Sequence, residues 1–143
     1  MAGAAFLLDR VTKLWAEGPL RDRGRALVLI PHVLQLSYTT NSGGAFGILQ
    51  RAPWLFFAAS GLVVLAIVWF SPRVGSWATA ASMGLVLGGA LGNLTDRIIR
   101  GPGISGRVVD FIDFHVWPVF NVADSAIVIG AILVALTGLK RRT

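Results

Sequence analysis

The stretch VVDFIDFHVWPVFNVADSAI, residues 108–127, places three aspartates in an otherwise apolar segment. They are Asp110, Asp113 and Asp124, and the last is followed by SAIVIGAILVALTGL (125–139), which contains no charged residue. An ionised carboxylate in or beside such a run is costly unless a partner compensates its charge. The sequence therefore predicts that the fold supplies partners for these acids.

The composition around this stretch is that of a membrane protein. Of the 143 residues, 55% are hydrophobic and only 14% are charged, whereas a soluble domain of this size needs a more polar surface. Residues 52–72 and 74–95 contain no charge, and 116–139 contains only that of Asp124. Each run is long enough to cross a hydrocarbon core, which takes about 20 helical residues.

Aromatic residues mark the ends of the apolar segments. All five tryptophans lie at or near such ends, as an interfacial aromatic belt requires: Trp15, Trp54, Trp69, Trp77 and Trp117. With a weaker, shorter segment at the N-terminus, the pattern predicts an α-helical membrane protein. Residues 1–143 form one domain with four transmembrane helices, at about 2–17, 53–70, 76–95 and 118–139.

Charge and cysteine content narrow the function classes. The net charge of +6 is explained more simply by contact with anionic lipid headgroups than by nucleic acid, so we expect membrane lipids and no nucleic acid as partners. The absence of cysteine excludes disulfides, thiolate metal sites and a cysteine nucleophile.

The segment between helices 1 and 2 has strand periodicity. In VLQLSYT (33–39), apolar and polar side chains alternate, with Leu34, Leu36 and Tyr38 on one face. NSGGAFGIL (41–49) then predicts a glycine turn and a short extended piece. Because strands cannot lie open in lipid, we expect a small β-sheet over about 26–50 at the membrane surface.

Two helices carry spaced motifs. Helix 3 carries a stripe of small residues at four-residue spacing: Ala80, Gly84, Gly88 and Gly92. Such a stripe lets a neighbouring helix approach closely, and we interpret it as a packing surface. In helix 1, Asp9, Lys13 and Glu17 share one face. That face either neutralises itself within the membrane or supports a site.

Helix 2 starts, helix 3 ends and helix 4 starts at the same membrane face, because successive helices cross in opposite directions. This places seven polar residues together at that face: Asn41, Asn93, Asp96, Arg97, Asp110, Asn121 and Asp124. We expect Asp124 six residues inside a helix that starts at Pro118, about 9 Å along its axis at 1.5 Å per residue. Two carboxylates at such a rim can share a proton, activate water and polarise an amide carbonyl. Spacing alone does not decide whether Asp110 and Asp124 are catalytic or form ion pairs. Asp96 is interpreted as a structural partner of Arg97 or Arg100, and Asp113 as a solvated residue beside the site.

Five stretches in order, spanning residues 9 to 126, carry a family resemblance. They are DRVTK (9–13), NSGGAF (41–46), GGALGNLTDR (88–97), VVDF (108–111) and FNVADSA (120–126). Together they resemble the bacterial lipoprotein signal peptidase family (signal peptidase II). The resemblance implies a four-helix intramembrane aspartic endopeptidase, without metal or cofactor, whose small sheet is extracytoplasmic. It would remove the signal peptide of diacylglyceryl-modified prolipoproteins by cutting before the lipidated cysteine.

The resemblance also assigns roles by position. Asp110 and Asp124 become the catalytic pair. Residues that orient the substrate or the pair are Asn41, Gly43, Asn93, Arg97 and Asn121, and supporting residues are Asp9, Lys13, Asp96 and Ala123. The implied location is the bacterial plasma membrane, multi-pass, with the active site near the extracytoplasmic face, although a count of arginines in the connections opposes that orientation. Prolipoproteins and globomycin-type inhibitors are the implied partners.

Two other readings remain. GISG (103–106) matches a GxSG pattern with Ser105 as the nucleophile of a serine intramembrane protease, but it lies in a connector, and neither His32 nor His115 is placed mid-membrane as a base. A small transporter or proton-relay subunit would use Asp110, Asp124 and Arg97 along an ion path. The position of most acids near helix ends favours a site at the membrane surface instead.

Overall fold

The structure, a computed structural model, describes residues 1–43 and 53–139. Within these ranges lie four α-helices: α1 (Ala2–Trp15), α2 (Pro53–Phe70), α3 (Trp77–Ile99) and α4 (Val122–Leu139). A π-helical turn, Ala16–Leu20, continues α1, and a 3₁₀ turn, Ser71–Arg73, follows α2. α3 packs against each of the other three helices and is the centre of the bundle.

A three-stranded antiparallel sheet lies at one end of the bundle. Its strands are β1 (Leu27–Ile30), β2 (Leu34–Asn41) and β3 (Val108–Asp113), in the order β1-β2-β3. β3 pairs with β2 so that Asp110 faces Thr39 and Val108 faces Asn41. The predicted sheet between helices 1 and 2 is therefore completed by a strand from the connection between α3 and α4. The sequence did not predict a strand in that connection.

The sheet is fixed to the helices by a small apolar core. Ala16 and Leu20 of the π-helical turn pack with Val109 and Phe111 of β3, and all four are buried. Alternate residues of a strand point to opposite faces. Because Val109 and Phe111 face this core, Asp110 between them points to the other side of the sheet.

The predicted start of helix 4 at residue 118 is wrong, because α4 begins at Val122. Before it, Phe120 forms an isolated β-bridge with Ile112 of β3 and exchanges backbone hydrogen bonds of 2.8 and 3.1 Å with it. Asp124 therefore lies in the first turn of α4 rather than two turns inside it. The glycine turn predicted over 41–49 falls mostly on residues outside the described ranges.

Helices α1, α2 and α4 expose apolar side chains. In the described part of the chain, one helical segment, Trp54–Arg73, is long and apolar enough to cross a membrane, and Val122–Gly138 is a shorter apolar helix. α1 and α4 also expose large apolar side chains, including Leu7, Val11 and Ile132. Four membrane-spanning helices remain a prediction.

The small-residue stripe on α3 does bring α1 close. A Cβ built on Gly88 would lie 2.8 Å from the Cβ of Ala5, and Gly92 packs directly on the Asp9 side chain. Both glycines are buried. Close packing of α1 on α3 is what carries Asp9 to the end of the bundle where the sheet lies.

We predict that Gly88→Ala destabilises the protein by about 1–3 kcal/mol, because the added methyl group overpacks the α1–α3 contact. Thermal unfolding in detergent measures this as a lower Tm. Gly61→Ala on α2 is the matched control, since a Cβ there meets nothing within 4 Å. A Tm for Gly88→Ala equal to that of Gly61→Ala would contradict the close approach.

Candidate active site

Asp110 is the most enclosed of the three acids in the opening stretch. Its relative exposure is 3%, and its Oδ1 accepts a hydrogen bond of 2.7 Å from Nδ2 of Asn121. Asn41, at the end of β2, is a second hydrogen-bonding neighbour. The strand thus holds a carboxyl group in a site with few compensating charges.

Asp124 is positioned by the local sequence NVAD (121–124). Its backbone N–H donates to Oδ1 of Asn121 at 2.9 Å, and its Oδ2 accepts from the backbone N–H of Asn121 at 3.3 Å. This reciprocal pair is a capping box, which satisfies backbone donors at a helix start. The same interaction that begins α4 therefore fixes the Asp124 carboxylate.

Two asparagines connect the acids. Nδ2 of Asn121, which donates to Asp110, also lies 3.2 Å from Oδ1 of Asn93. Nδ2 of Asn93 in turn donates to Oδ1 of Asp124 at 2.8 Å. The acids of β3 and α4 consequently belong to one hydrogen-bonded cluster, Asp110–Asn121–Asn93–Asp124.

Asp110 has an altered acidity in this cluster. Burial, followed by the nearby charge of Asp124, raises the pKa of Asp110 to about 7 from 3.8. Hydrogen bonds from Asn121 and Asn41, and the charge of Lys13, oppose that rise. A carboxyl group with this pKa can hold a proton near neutral pH and donate it.

A buried charge network lies behind the two asparagines. Nζ of Lys13 has no exposed surface and lies 2.9 Å from Oδ1 of Asn93, 2.9 Å from Oδ2 of Asp9 and 2.9 Å from Oδ2 of Asp96. Asp96 also pairs with Arg100, at 2.9 Å, and with Arg10. The network therefore joins α1 to the last two turns of α3.

The same network holds the backbone beside each acid. Oδ1 of Asp9 accepts the N–H of Ala123 at 3.0 Å, next to Asp124. Oδ2 of Asp96 accepts the N–H of Val109 at 3.2 Å, next to Asp110. Each supporting carboxylate thus positions the residue that precedes a member of the candidate pair.

Arg97 lies close to the acids without bonding to Asp96. Its Nη1 donates to the backbone carbonyl of Asn93 at 3.1 Å, and its guanidinium carbon lies 5.7 Å from the ring centre of Phe56. The guanidinium interacts electrostatically with both Asp110 and Asp124. Of the two partners expected for Asp96, the structure shows Arg100 and not Arg97.

Gly43 closes the sheet side of the site. Its N–H donates to Oδ1 of Asn41 at 2.9 Å, and its φ of +124° lies in a region that favours glycine. A Cβ there would also lie 2.5 Å from the nearest atom of the Phe56 ring. Asn41 is thereby held in place beside Asp110.

Asp113 does not join the cluster. At the other end of β3, its Oδ2 accepts a hydrogen bond of 2.7 Å from Gln35, and its Oδ1 accepts one from the backbone of His115. The hydrogen bond from Gln35 is the main cause that lowers the pKa of Asp113. This acid stays ionised on the sheet and has no contact with the asparagines.

The residues of the serine-protease reading are not assembled. Ser105 is exposed in the loop that follows α3, and His32 and His115 are exposed on the sheet side. No described hydrogen bond joins Ser105 to either histidine. In residues 1–43 and 53–139 no group of three or more histidine and acidic side chains is placed to hold a metal ion.

Sequence reasoning missed three elements of the site. It did not identify Arg10 as a partner of Asp96, and it expected Glu17 on the stripe of Lys13, whereas Glu17 pairs with Arg100. It also did not read NVAD as a capping box, although the spacing of Asn121 and Asp124 is the signal for one.

The chain is similar to proteins of one known family. The sequence model of the family described as Signal peptidase (SPase) II matches residues 1–140. A lipoprotein signal peptidase of Syntrophomonas wolfei is 45% identical over 131 residues, which are 91% of this chain and 84% of the relative. One of Rhodococcus jostii is 42% identical over 137 residues, 95% of this chain and 69% of the relative.

Solved structures show the same similarity. One described as a bacterial membrane enzyme superposes with a TM-score of 0.84 at 32% identity, covering 99% of this chain and 87% of that one. A second of the same description gives a TM-score of 0.82 at 33% identity, with coverage of 97% and 90%. The chain therefore belongs to the signal peptidase II family, the lipoprotein signal peptidases that remove signal peptides from prolipoproteins.

Proposed function

We propose that the chain is an intramembrane aspartic endopeptidase in which Asp110 and Asp124 together cut the bond before the lipidated cysteine of a diacylglyceryl-modified prolipoprotein. The observation that carries this proposal is the hydrogen-bonded cluster Asp110–Asn121–Asn93–Asp124. It places two carboxyl groups in one site and gives them different surroundings, which is the condition for assigning acid and base roles to a pair.

The chemistry needs one proton on the pair. The ionised carboxylate takes a proton from a water molecule while the oxygen of that water bonds to the scissile carbonyl carbon. The protonated partner donates its proton to the carbonyl oxygen. As the tetrahedral intermediate collapses and the C–N bond breaks, the acid that took the proton from water gives it to the departing amine of the lipidated cysteine. The other acid takes back a proton from the hydroxyl group that it had protonated, and this restores the carbonyl group. The pair is then ready to bind another water.

The neighbours of the pair have positioning roles in this proposal. Arg97, Asn41 and Gly43 surround the place where the peptide backbone must lie, and the Arg97 guanidinium is the cation beside the two acids. The supporting residues set the backbone from which the acids project: Asp9, Lys13, Asp96 and Ala123.

An apolar cavity beside Asp124 fits the lipid part of the substrate. Its volume is about 570 Å³, and it is lined by the segment before α4 and by the outer face of α4, including Phe114, Trp117, Phe120 and Ile129. Acyl chains bound here would hold the cysteine next to the pair. Binding energy from such remote groups can be used to position the reacting amide.

We further propose that α1, α2, α3 and α4 all span the bacterial plasma membrane. The exposed apolar faces of α1, α2 and α4 support this arrangement. The sheet and the pair then lie at the extracytoplasmic face, in contact with lipid headgroups. A globomycin-type cyclic peptide would inhibit the enzyme by occupying the space beside Asp110 and Asp124.

The first test is replacement of each acid. Asp110→Asn and Asp124→Asn should each lower cleavage by at least about 10³-fold, because neither variant can divide the acid and base roles. Gel-shift cleavage of a purified diacylglyceryl-modified precursor measures this. Asp113→Asn is the matched control on the same strand and should keep most activity. Substantial turnover by either of the first two variants would refute the pair.

The second test is pH dependence. The pair must hold one proton, and the pKa of Asp110 is about 7, so kcat/KM should fall about tenfold per pH unit well above pH 7. The free energy of unfolding should also depend on Asp110. Its pKa is 3.8 in the unfolded chain and about 7 in the folded protein, so the folded protein loses stability as pH rises from 3.8 to about 7. Asp110→Asn should remove that dependence. Activity that keeps rising above pH 8 would contradict the role of Asp110.

A further inference from the structure

The two acids of the proposed pair have unequal partners. Asp124 accepts hydrogen bonds at both oxygens, from the Asn93 side chain at 2.8 Å and from the Asn121 backbone at 3.3 Å. It also lies in the first turn of α4, where the helix dipole favours a negative charge. Asp110 also accepts a hydrogen bond, at Oδ1 from Asn121 at 2.7 Å, and has Asn41 beside it. It lies on a strand without that dipole, however, and it is almost fully buried, which disfavours a charge.

The direction of the Asn93 amide is fixed by Lys13. Nζ of Lys13 is a donor without any acceptor capacity, so the Asn93 atom 2.9 Å from it must be the carbonyl oxygen. Nδ2 of Asn121 approaches the same oxygen at 3.2 Å, also as a donor. The NH₂ group of Asn93 must then point to Asp124, and it can only donate there.

A donor aimed at a carboxylate stabilises its ionised form. Resting on the proposed function, we propose that Lys13, acting through Asn93, keeps Asp124 ionised as the base that activates water, and that Asp110 carries the shared proton. Lys13 and Asn93 are positioning residues in this scheme, since neither reaches the reacting atoms.

Other charges facing the pair do not reverse this assignment. Asp9 and Lys13 approach from α1, and Asp96 and Arg97 from α3. Asp9 and Asp96 are neutralised by Lys13, Arg10 and Arg100. The charge of Lys13 also favours an ionised Asp110, but burial and the charge of Asp124 outweigh it. Arg97 interacts electrostatically with both acids of the pair, so it stabilises a single negative charge on either one. The oriented amide of Asn93 contacts only Asp124.

Difference infrared spectroscopy tests the assignment without needing activity. The wild-type protein should show the C=O band of a protonated carboxyl group that disappears as pH rises through about 7. Asp110→Asn should lack this band. Asp124→Asn should keep it but lose it at a lower pH, because the neighbouring charge that helps to retain the proton is gone. A band lost in Asp124→Asn and kept in Asp110→Asn would overturn the proposal.

Asn93→Asp tests the orienting role. This variant keeps the shape of the side chain and the acceptor that faces Lys13 but replaces the donor that faces Asp124. The loss of kcat/KM at low pH, which marks protonation of the base, should therefore move to higher pH by roughly one pH unit or more. Thr95→Val on the same helix is the control. Within residues 1–43 and 53–139 the Thr95 hydroxyl bonds to Leu91 of its own helix, so this variant should leave the pH profile unchanged. A uniform loss of activity for Asn93→Asp, with no shift of the pH profile, would show a merely structural role and contradict the proposal.

These results distinguish a wrong assignment of the proton from a wrong proposed function. If both aspartate variants lose cleavage but the infrared band follows Asp124, the aspartic mechanism holds and the assignment of the proton is wrong. If Asp110→Asn retains cleavage, the proposed function itself fails, whatever the infrared spectra show.

Discussion

A fully buried lysine holds the site together. The ammonium group of Lys13 is surrounded by Asp9, Asp96 and Asn93, each at 2.9 Å, at the junction of α1 and α3. Removing one partner from such a buried group leaves an uncompensated charge, which typically costs about 3–5 kcal/mol. The position of α1 on α3 is thus tied to charge balance, and the close packing at Gly88 and Gly92 is what allows that balance to form.

From this junction the arrangement of the two candidate acids follows. Asp9 holds the start of α4 through Ala123, and Asp96 holds β3 through Val109. One acid is then presented by a strand and the other by the first turn of a helix. These elements give different solvation and different donors to two chemically identical side chains. Surroundings that differ in this way push the pKa values of two carboxyl groups apart and so assign the acid and base roles.

Much of this could be predicted from the sequence because the signals are local or periodic. Uncharged runs located the helices, alternation located β2, and the motifs around Asn93, Asp110 and Asp124 located the cluster. What failed depended on pairing between distant segments. VVDFID forms a strand because it pairs with the edge of β2, and α4 starts only after Phe120 because that residue pairs with Ile112. Likewise, nothing near Arg10 in the sequence shows that Asp96 lies beside it.

In the proposed mechanism, Asp110 and Asp124 act on one water molecule. A crystal structure of the active protein, at a resolution that shows ordered water, would reveal whether they do. We expect a single water within about 3.2 Å of a carboxyl oxygen of each acid, with Asn121 bonded to Asp110 and Asn93 bonded to Asp124. Two separately solvated carboxylates, one of them in an ion pair with Arg97 and no water common to both, would contradict it.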